Sequence, residues 1–77
     1  MTNVKININS IDKVKSFVNT VTKFDNDFDL VAGRYVIDAK SIMGIFSLDL
    51  SQDLELTIQN DEDIDVILEA LKDFIVK

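Results

Sequence analysis

The sequence predicts an α+β open-faced sandwich, a four-stranded antiparallel sheet with three helices on one face in the order βαββαβα. Two segments carry the strand part of this reading. Val4, Ile6 and Ile8 alternate with Lys5 and Asn7, and Leu54, Leu56 and Ile58 repeat the pattern around Glu55 and Thr57. A period of two marks a strand with one buried and one wet face. Strands of a sheet sandwiched on both sides tend to be apolar on both faces, so this alternation puts all the helices on a single side. The third observation is that runs with three- and four-residue apolar spacing fall between and after the strands.

The first element is the strand around Val4–Ile8. Ile11, Val14, Phe17, Val18 and Val21 then line one side of a helix from about Ser10 to Lys23, which Asn9 or Ser10 can cap. Asn19-Thr20-Val21-Thr22 is poor in helix formers, so packing has to hold the last turn. Phe28 and Leu30 alternate with Asp27 and Asp29, and Ala32-Gly33 supplies a turn before Arg34-Tyr35-Val36-Ile37, giving a hairpin over residues 27–37. A short helix follows from Ser41 to about Leu48, and then the strand of Leu54–Ile58. Asn60 is the expected N-cap of the last helix, with Asp61, Glu62 and Asp63 in a first turn where carboxylates suit the positive end of the helix dipole. Ile64, Ile67, Leu68, Leu71, Phe74 and Ile75 line its apolar face. No linker, low-complexity run or repeat divides the chain, so residues 1–77 are expected to form one domain. On pattern alone this is a split-βαβ sandwich of the ferredoxin-like kind with an added C-terminal helix, a topology that hosts many functions.

Composition removes whole classes of chemistry. Without cysteine, histidine or proline, the chain has no zinc site, thiol chemistry or histidine general base, and only a carboxylate site for a divalent cation is left open. Asp25-Asn26-Asp27-Phe28-Asp29 resembles the start of a calcium loop and fails as one. Its sixth position is Leu30 instead of glycine and its twelfth is Val36 instead of glutamate. There is no nucleophile beside a base and no glycine-rich phosphate loop, so no catalytic residue, metal or cofactor is assigned. Net charge is −6, but residues 1–40 hold six basic and five acidic side chains while residues 41–77 hold two and nine. The acidic half would repel a polyanion, so nucleic acid is not an expected partner. The Met1-Thr2-Asn3-Val4-Lys5 start lacks the pattern of a signal peptide and no segment is apolar enough to span a bilayer, so a cytoplasmic location is expected.

One stretch is specific enough to suggest a family. Ala39-Lys40-Ser41-Ile42-Met43-Gly44, between a strand and a short helix, resembles the regulatory-serine segment of HPr, the small phosphocarrier of the bacterial sugar phosphotransferase system. Phe17-Val18 resembles the aromatic-valine pair inside that family's first helix. The resemblance covers the whole chain and implies the same element order. It also exposes a departure. HPr carries a glycine-leucine-histidine loop followed by an arginine and a proline, whereas this chain runs Ile8-Asn9-Ser10-Ile11-Asp12-Lys13. Anchored on Phe17-Val18, Ser10 matches the family histidine, Asp12 the arginine and Lys13 the proline, with about three loop residues deleted. A serine cannot replace that histidine. Imidazole is nucleophilic at neutral pH and forms a labile phosphoramidate, while serine needs an adjacent base and yields a stable ester. Asp12 would moreover repel the phosphate that an arginine would hold.

The resemblance implies that Ser41, at the start of the short helix, is the target of a dedicated serine kinase, and that its modified form binds a transcriptional regulator. It further implies that Ile42, Met43 and Phe46, with Lys40 at the rim, form a docking surface for phosphotransferase-system components. Spacing alone leaves open which side of that helix faces solvent, because Ile45 and Leu48 compete for burial. The expected function is therefore a non-catalytic, HPr-like regulatory or protein-interaction domain. Two alternatives remain: a reused scaffold serving as a structural or oligomeric partner outside sugar transport, and a small-ligand-binding module of the ferredoxin-like class. Oligomeric state is not legible from the sequence.

Overall fold

The computed structural model describes residues 1–76. Its elements follow the expected order: β1 (Thr2–Ile6), α1 (Ile11–Val21), β2 (Phe28–Ala32), β3 (Tyr35–Asp38), α2 (Ile42–Phe46), β4 (Leu54–Ile58) and α3 (Ile64–Ala70). The four strands form one antiparallel sheet in the spatial order β1-β4-β2-β3. Register turns alternation into a two-faced surface. Leu30 lies opposite Leu56 and Ile37, and Val4 is opposite Leu56 from the other side, so the apolar members stack on the helix-covered face. Lys5 opposite Glu55, and Glu55 opposite Val31, fall on the open face. The three helices cover the inner face and contribute Val14, Phe17 and Val21 from α1, Ile45 from α2 and Ile67 from α3 to one buried cluster with Ile6, Phe28, Leu30, Leu54, Leu56 and Ile58. The Phe17 and Phe74 rings meet edge to face, 5.7 Å apart at 86°, joining α1 to the segment after α3.

Ser10 caps α1, its Oγ accepting from Lys13 N–H at 3.1 Å. Ile11, expected on the buried side, is 63% exposed. It lies in the first turn at the margin of the Val14–Phe17–Val21 stripe, with no preceding turn to extend the interface. The β2–β3 loop is Gly33-Arg34, since Ala32 pairs with Tyr35 as part of the ladder, and Gly33 takes the left-handed φ of 61° at the first loop position.

The entry to α3 departs from expectation. Asn60 does accept from Glu62 N–H at 3.0 Å, but only to close a turn ahead of the helix. The cap position is Asp63, at a left-handed φ of 57° and without a side-chain capping bond. Buried Asn26 supplies the reason. Its Nδ2 donates to Asn60 O, Asn60 Oδ1 and Glu62 O at 3.3, 2.8 and 3.0 Å, pinning residues 60–62 against the β2 entry and delaying the helix until the chain clears them. The helix also ends earlier than its apolar face suggests. After Ala70 the chain turns, and Ile75 bridges to Ile6 while Val76 N–H donates to Lys5 O at 2.9 Å.

Candidate functional site

The site is built where β3 hands over to α2. Asp38 closes the strand: its Oδ1 accepts from Lys40 N–H at 2.9 Å, and its carbonyl accepts from Ser41 N–H at 3.0 Å. These two bonds turn the chain by Ser41, which caps α2 with extended φ and ψ of −95° and 100°. The Ser41 Oγ accepts from Gly44 N–H at 3.3 Å, and the Ser41 carbonyl accepts from Ile45 N–H at 3.0 Å. Ser41 is exposed. Its hydroxyl is therefore accessible while its lone pair stabilises the helix start.

Gly44 had no assigned role in the sequence, and the geometry gives it one. A Cβ at this position would lie 3.2 Å from Ser41 Oγ and 3.5 Å from Ile37 Cδ1. The first distance is tighter than ordinary packing and the second is normal contact, so the glycine makes room for the serine to fold over the helix start. The sequence signal was the glycine itself, inside a helical pattern where it costs stability unless packing requires it.

Burial settles which side of α2 faces water. Ile45 is fully buried, Ile42 and Leu48 are half-buried against the core, Met43 is 77% exposed and Phe46 is 39% exposed. Met43 and Phe46 thus form a small apolar patch next to Ser41, with Ile42 beneath it rather than on it. Lys40 is not a free charge at the rim. Its Nζ donates to Phe24 O at 2.8 Å and stands 5.6 Å above the Phe28 ring, so it ties the start of α2 to the loop leaving α1.

Ser10 is separate in role: its hydroxyl is occupied as the α1 cap, Asp12 follows in the first turn, and no histidine exists anywhere in the chain. Among the described residues the one recorded bond of the Ser10 hydroxyl is this cap, and a serine with no base bonded to its hydroxyl is not activated as a nucleophile. Among the described residues no three acidic side chains converge where a metal ion could be held, and no helix is long and apolar enough to cross a membrane. Elsewhere an open groove of about 720 Å³ runs between the β2–β3 turn and the segment after α2, lined by Tyr35, Gln52, Asp53, Leu54 and Glu55. It includes neither Ser41 nor the Met43–Phe46 patch.

The fold has parallels among known proteins. A family model described as the PTS HPr component phosphorylation site matches residues 12–77, beginning just beyond Ser10. HPr-C-His from Thermoanaerobacter tengcongensis superposes with a TM-score of 0.78 at 32% identity, covering 95% of this chain and 89% of that one. The phosphocarrier HPr of Bacillus anthracis gives 0.71 at 24% identity over 97% and 94% of the two chains. Crh, the catabolite repression containing protein of Bacillus subtilis, crystallised as a domain-swapped dimer, gives 0.65 at 24% identity over 100% and 93%. At 24% identity the last two speak for the fold alone, but the family model and the Thermoanaerobacter structure agree over most of the chain: this protein, though it has no histidine, belongs to the HPr family of phosphotransferase-system phosphocarriers.

Proposed function

We propose that this chain is a non-catalytic regulatory or protein-interaction member of the HPr family that cannot carry phosphohistidine and is phosphorylated on Ser41. The observation that carries the reading is the pairing of an exposed, helix-capping Ser41 with the exposed Met43 and Phe46 on the same short helix, in a chain where the position matched to the carrier nucleophile is an engaged cap. A cytoplasmic serine kinase would move the γ-phosphoryl group of ATP onto Ser41 Oγ, with loss of the hydroxyl proton and release of ADP. The product sets about two negative charges beside Met43 and Phe46. The patch then presents an apolar surface flanked by phosphate, which suits a partner that offers an apolar socket ringed by arginine or lysine. A transcriptional regulator or another phosphotransferase-system protein fits that description. Methionine and aromatic side chains are well suited to such contacts because they adapt to more than one partner surface. Lys40 contributes by holding α2 in place.

The test incubates the protein with Enzyme I and phosphoenolpyruvate, and separately with the serine kinase and ATP, followed by intact-mass measurement. The expected result is no phosphoryl transfer from Enzyme I and one phosphate from the kinase, lost in Ser41→Ala. Absence of modification, together with no binding to any phosphotransferase component, refutes the proposal.

A further inference from the structure

The sheet has two edges, and only one is covered. At β1, Ile75 bridges to Ile6, Val76 N–H donates to Lys5 O and Asn7 N–H donates to Phe74 O at 2.8 Å, so the segment after α3 occupies part of that edge. At the other edge lies β3, with Tyr35 65% and Val36 64% exposed and no proline or lysine within it. Such an edge offers unpaired backbone groups to another strand unless something blunts it. The Ala39 N–H bond to Phe28 O at 2.9 Å fixes which groups these are. In an antiparallel ladder bonded pairs alternate, so Ile37 and Tyr35 bond to β2, whereas Val36 and Asp38 turn their N–H groups outward. Val36 faces Val31 in a non-bonded pair of this ladder, and among the described residues its N–H and C=O have no partner outside the sheet.

We infer that β3 is a self-association surface whose occupant is the β3 of a second copy of this chain, paired antiparallel about a two-fold axis at Val36. Charge complementarity selects the occupant. In this register Val36 faces Val36 of the second copy and Tyr35 faces its Ile37. Arg34 faces its Asp38 at both ends. Neither Arg34 nor Asp38 is in an ion pair within its own chain among the described residues. Sliding the pairing by two residues sets Arg34 opposite Val36 and Asp38 opposite Ala32 in one direction, and Arg34 opposite Lys40 and Asp38 opposite Val36 in the other, so the Val36-centred register is the one that pairs the opposite charges. A two-fold axis normal to the sheet keeps the faces continuous: Val36 and Asp38 remain on the open face and Tyr35 and Ile37 on the helix-covered face, with Arg34 in the turn at the start of the strand. The reciprocal Val36 bonds and the cross-strand contacts join two four-stranded sheets into one of eight strands. Because β1 is already partly covered, pairing stops at a closed dimer instead of propagating. The strand is only four residues long, which places the dimer among weak, transient associations. Met43 and Phe46 take no part in it, so this inference and the proposed function fail independently.

The experiment is sedimentation equilibrium up to roughly millimolar protein, with amide exchange followed by NMR over the same range. A concentration-dependent dimer is expected, with the Val36 and Asp38 amides gaining protection as it forms. Val36→Lys places two ammonium groups across the axis and weakens association by about tenfold or more, with unchanged thermal stability because the side chain is exposed. Arg34→Asp, in an exposed turn, weakens it by repulsion, and the Arg34→Asp/Asp38→Arg double variant restores it. A strict monomer throughout the range overturns the inference, as does a dimer indifferent to Val36→Lys. Failure of the double variant to recover, with its fold intact, overturns the register.

Discussion

Replacing Gly44 by alanine sets two local effects against each other. Gly44 has no left-handed φ, so alanine is allowed by the backbone, and a helix-interior glycine-to-alanine change gains about 0.8–1 kcal/mol. The added Cβ would lie 3.2 Å from Ser41 Oγ, closer than such atoms ordinarily pack, while the 3.5 Å approach to Ile37 Cδ1 is normal contact. Ser41 relieves the crowding by rotating its hydroxyl away, which forfeits the 3.3 Å bond from Gly44 N–H; losing a serine cap costs about 1 kcal/mol. The two nearly cancel, so Gly44→Ala alone should leave stability within about 0.5 kcal/mol of the parent. In a Ser41→Ala background the hydroxyl is absent and the helix gain appears unopposed. The double-mutant cycle should therefore show a favourable coupling of about 0.8 kcal/mol. Urea denaturation read by circular dichroism measures all four corners, and the coupling corresponds to roughly 3–6 °C in thermal midpoint for a domain of this size. A gain of about 1 kcal/mol from Gly44→Ala with Ser41 present, and no coupling, would refute the claim that glycine is there to admit the serine cap.

Three further outcomes follow from the geometry. Asn26→Ala removes the three bonds that pin residues 60–62 and should cost about 1–3 kcal/mol in urea denaturation, with faster amide exchange at the start of α3; an unaffected α3 would contradict the account of its late start. Lys40→Met loses both the bond to Phe24 O and the ammonium over the Phe28 ring, and should lower stability by about 1 kcal/mol, whereas a free rim charge would leave stability unchanged. The Ser51 hydroxyl holds the Asp49 carboxyl below its ordinary range, and the Thr2 hydroxyl, followed by the terminal ammonium, does the same for Asp61. Carboxyls depressed in the folded state contribute stability above about pH 3.9 and lose it as pH falls through their folded values. Asp61→Asn should accordingly flatten the fall in urea midpoint below that pH, and an identical acid limb in the variant would count against the assignment.

Legibility tracked how local the cause of each feature was. The alternation at Val4–Ile8 and Leu54–Ile58 and the helical stripe of Ile11, Val14, Phe17, Val18 and Val21 record burial in sequence spacing, and their elements formed there, except that β1 ends at Ile6 and Ile11 stays exposed. Ser41 as a cap was readable because a capping side chain bonds three residues ahead on the same chain. The start of α3 was misread because the competing partner, Asn26, lies more than thirty residues away. Lys40 read as a surface charge because nothing in Ala39-Lys40-Ser41 announces Phe24 O or the Phe28 ring.

The sequence by itself determined the element order, the two-faced sheet, the family resemblance through Ala39–Gly44 and the loss of histidine chemistry. Each is a property of residue type and of spacing along one chain. Tertiary structure decided the rest: that Met43 and Phe46 face outward while Ile45 is buried, that Lys40 is anchored, that Gly44 makes room for Ser41, and that β3 is the uncovered edge. These outcomes depend on which surfaces of distant segments meet. Burial of a five-residue helix, or cover over a sheet edge, is set by three-dimensional neighbours that local periodicity does not encode.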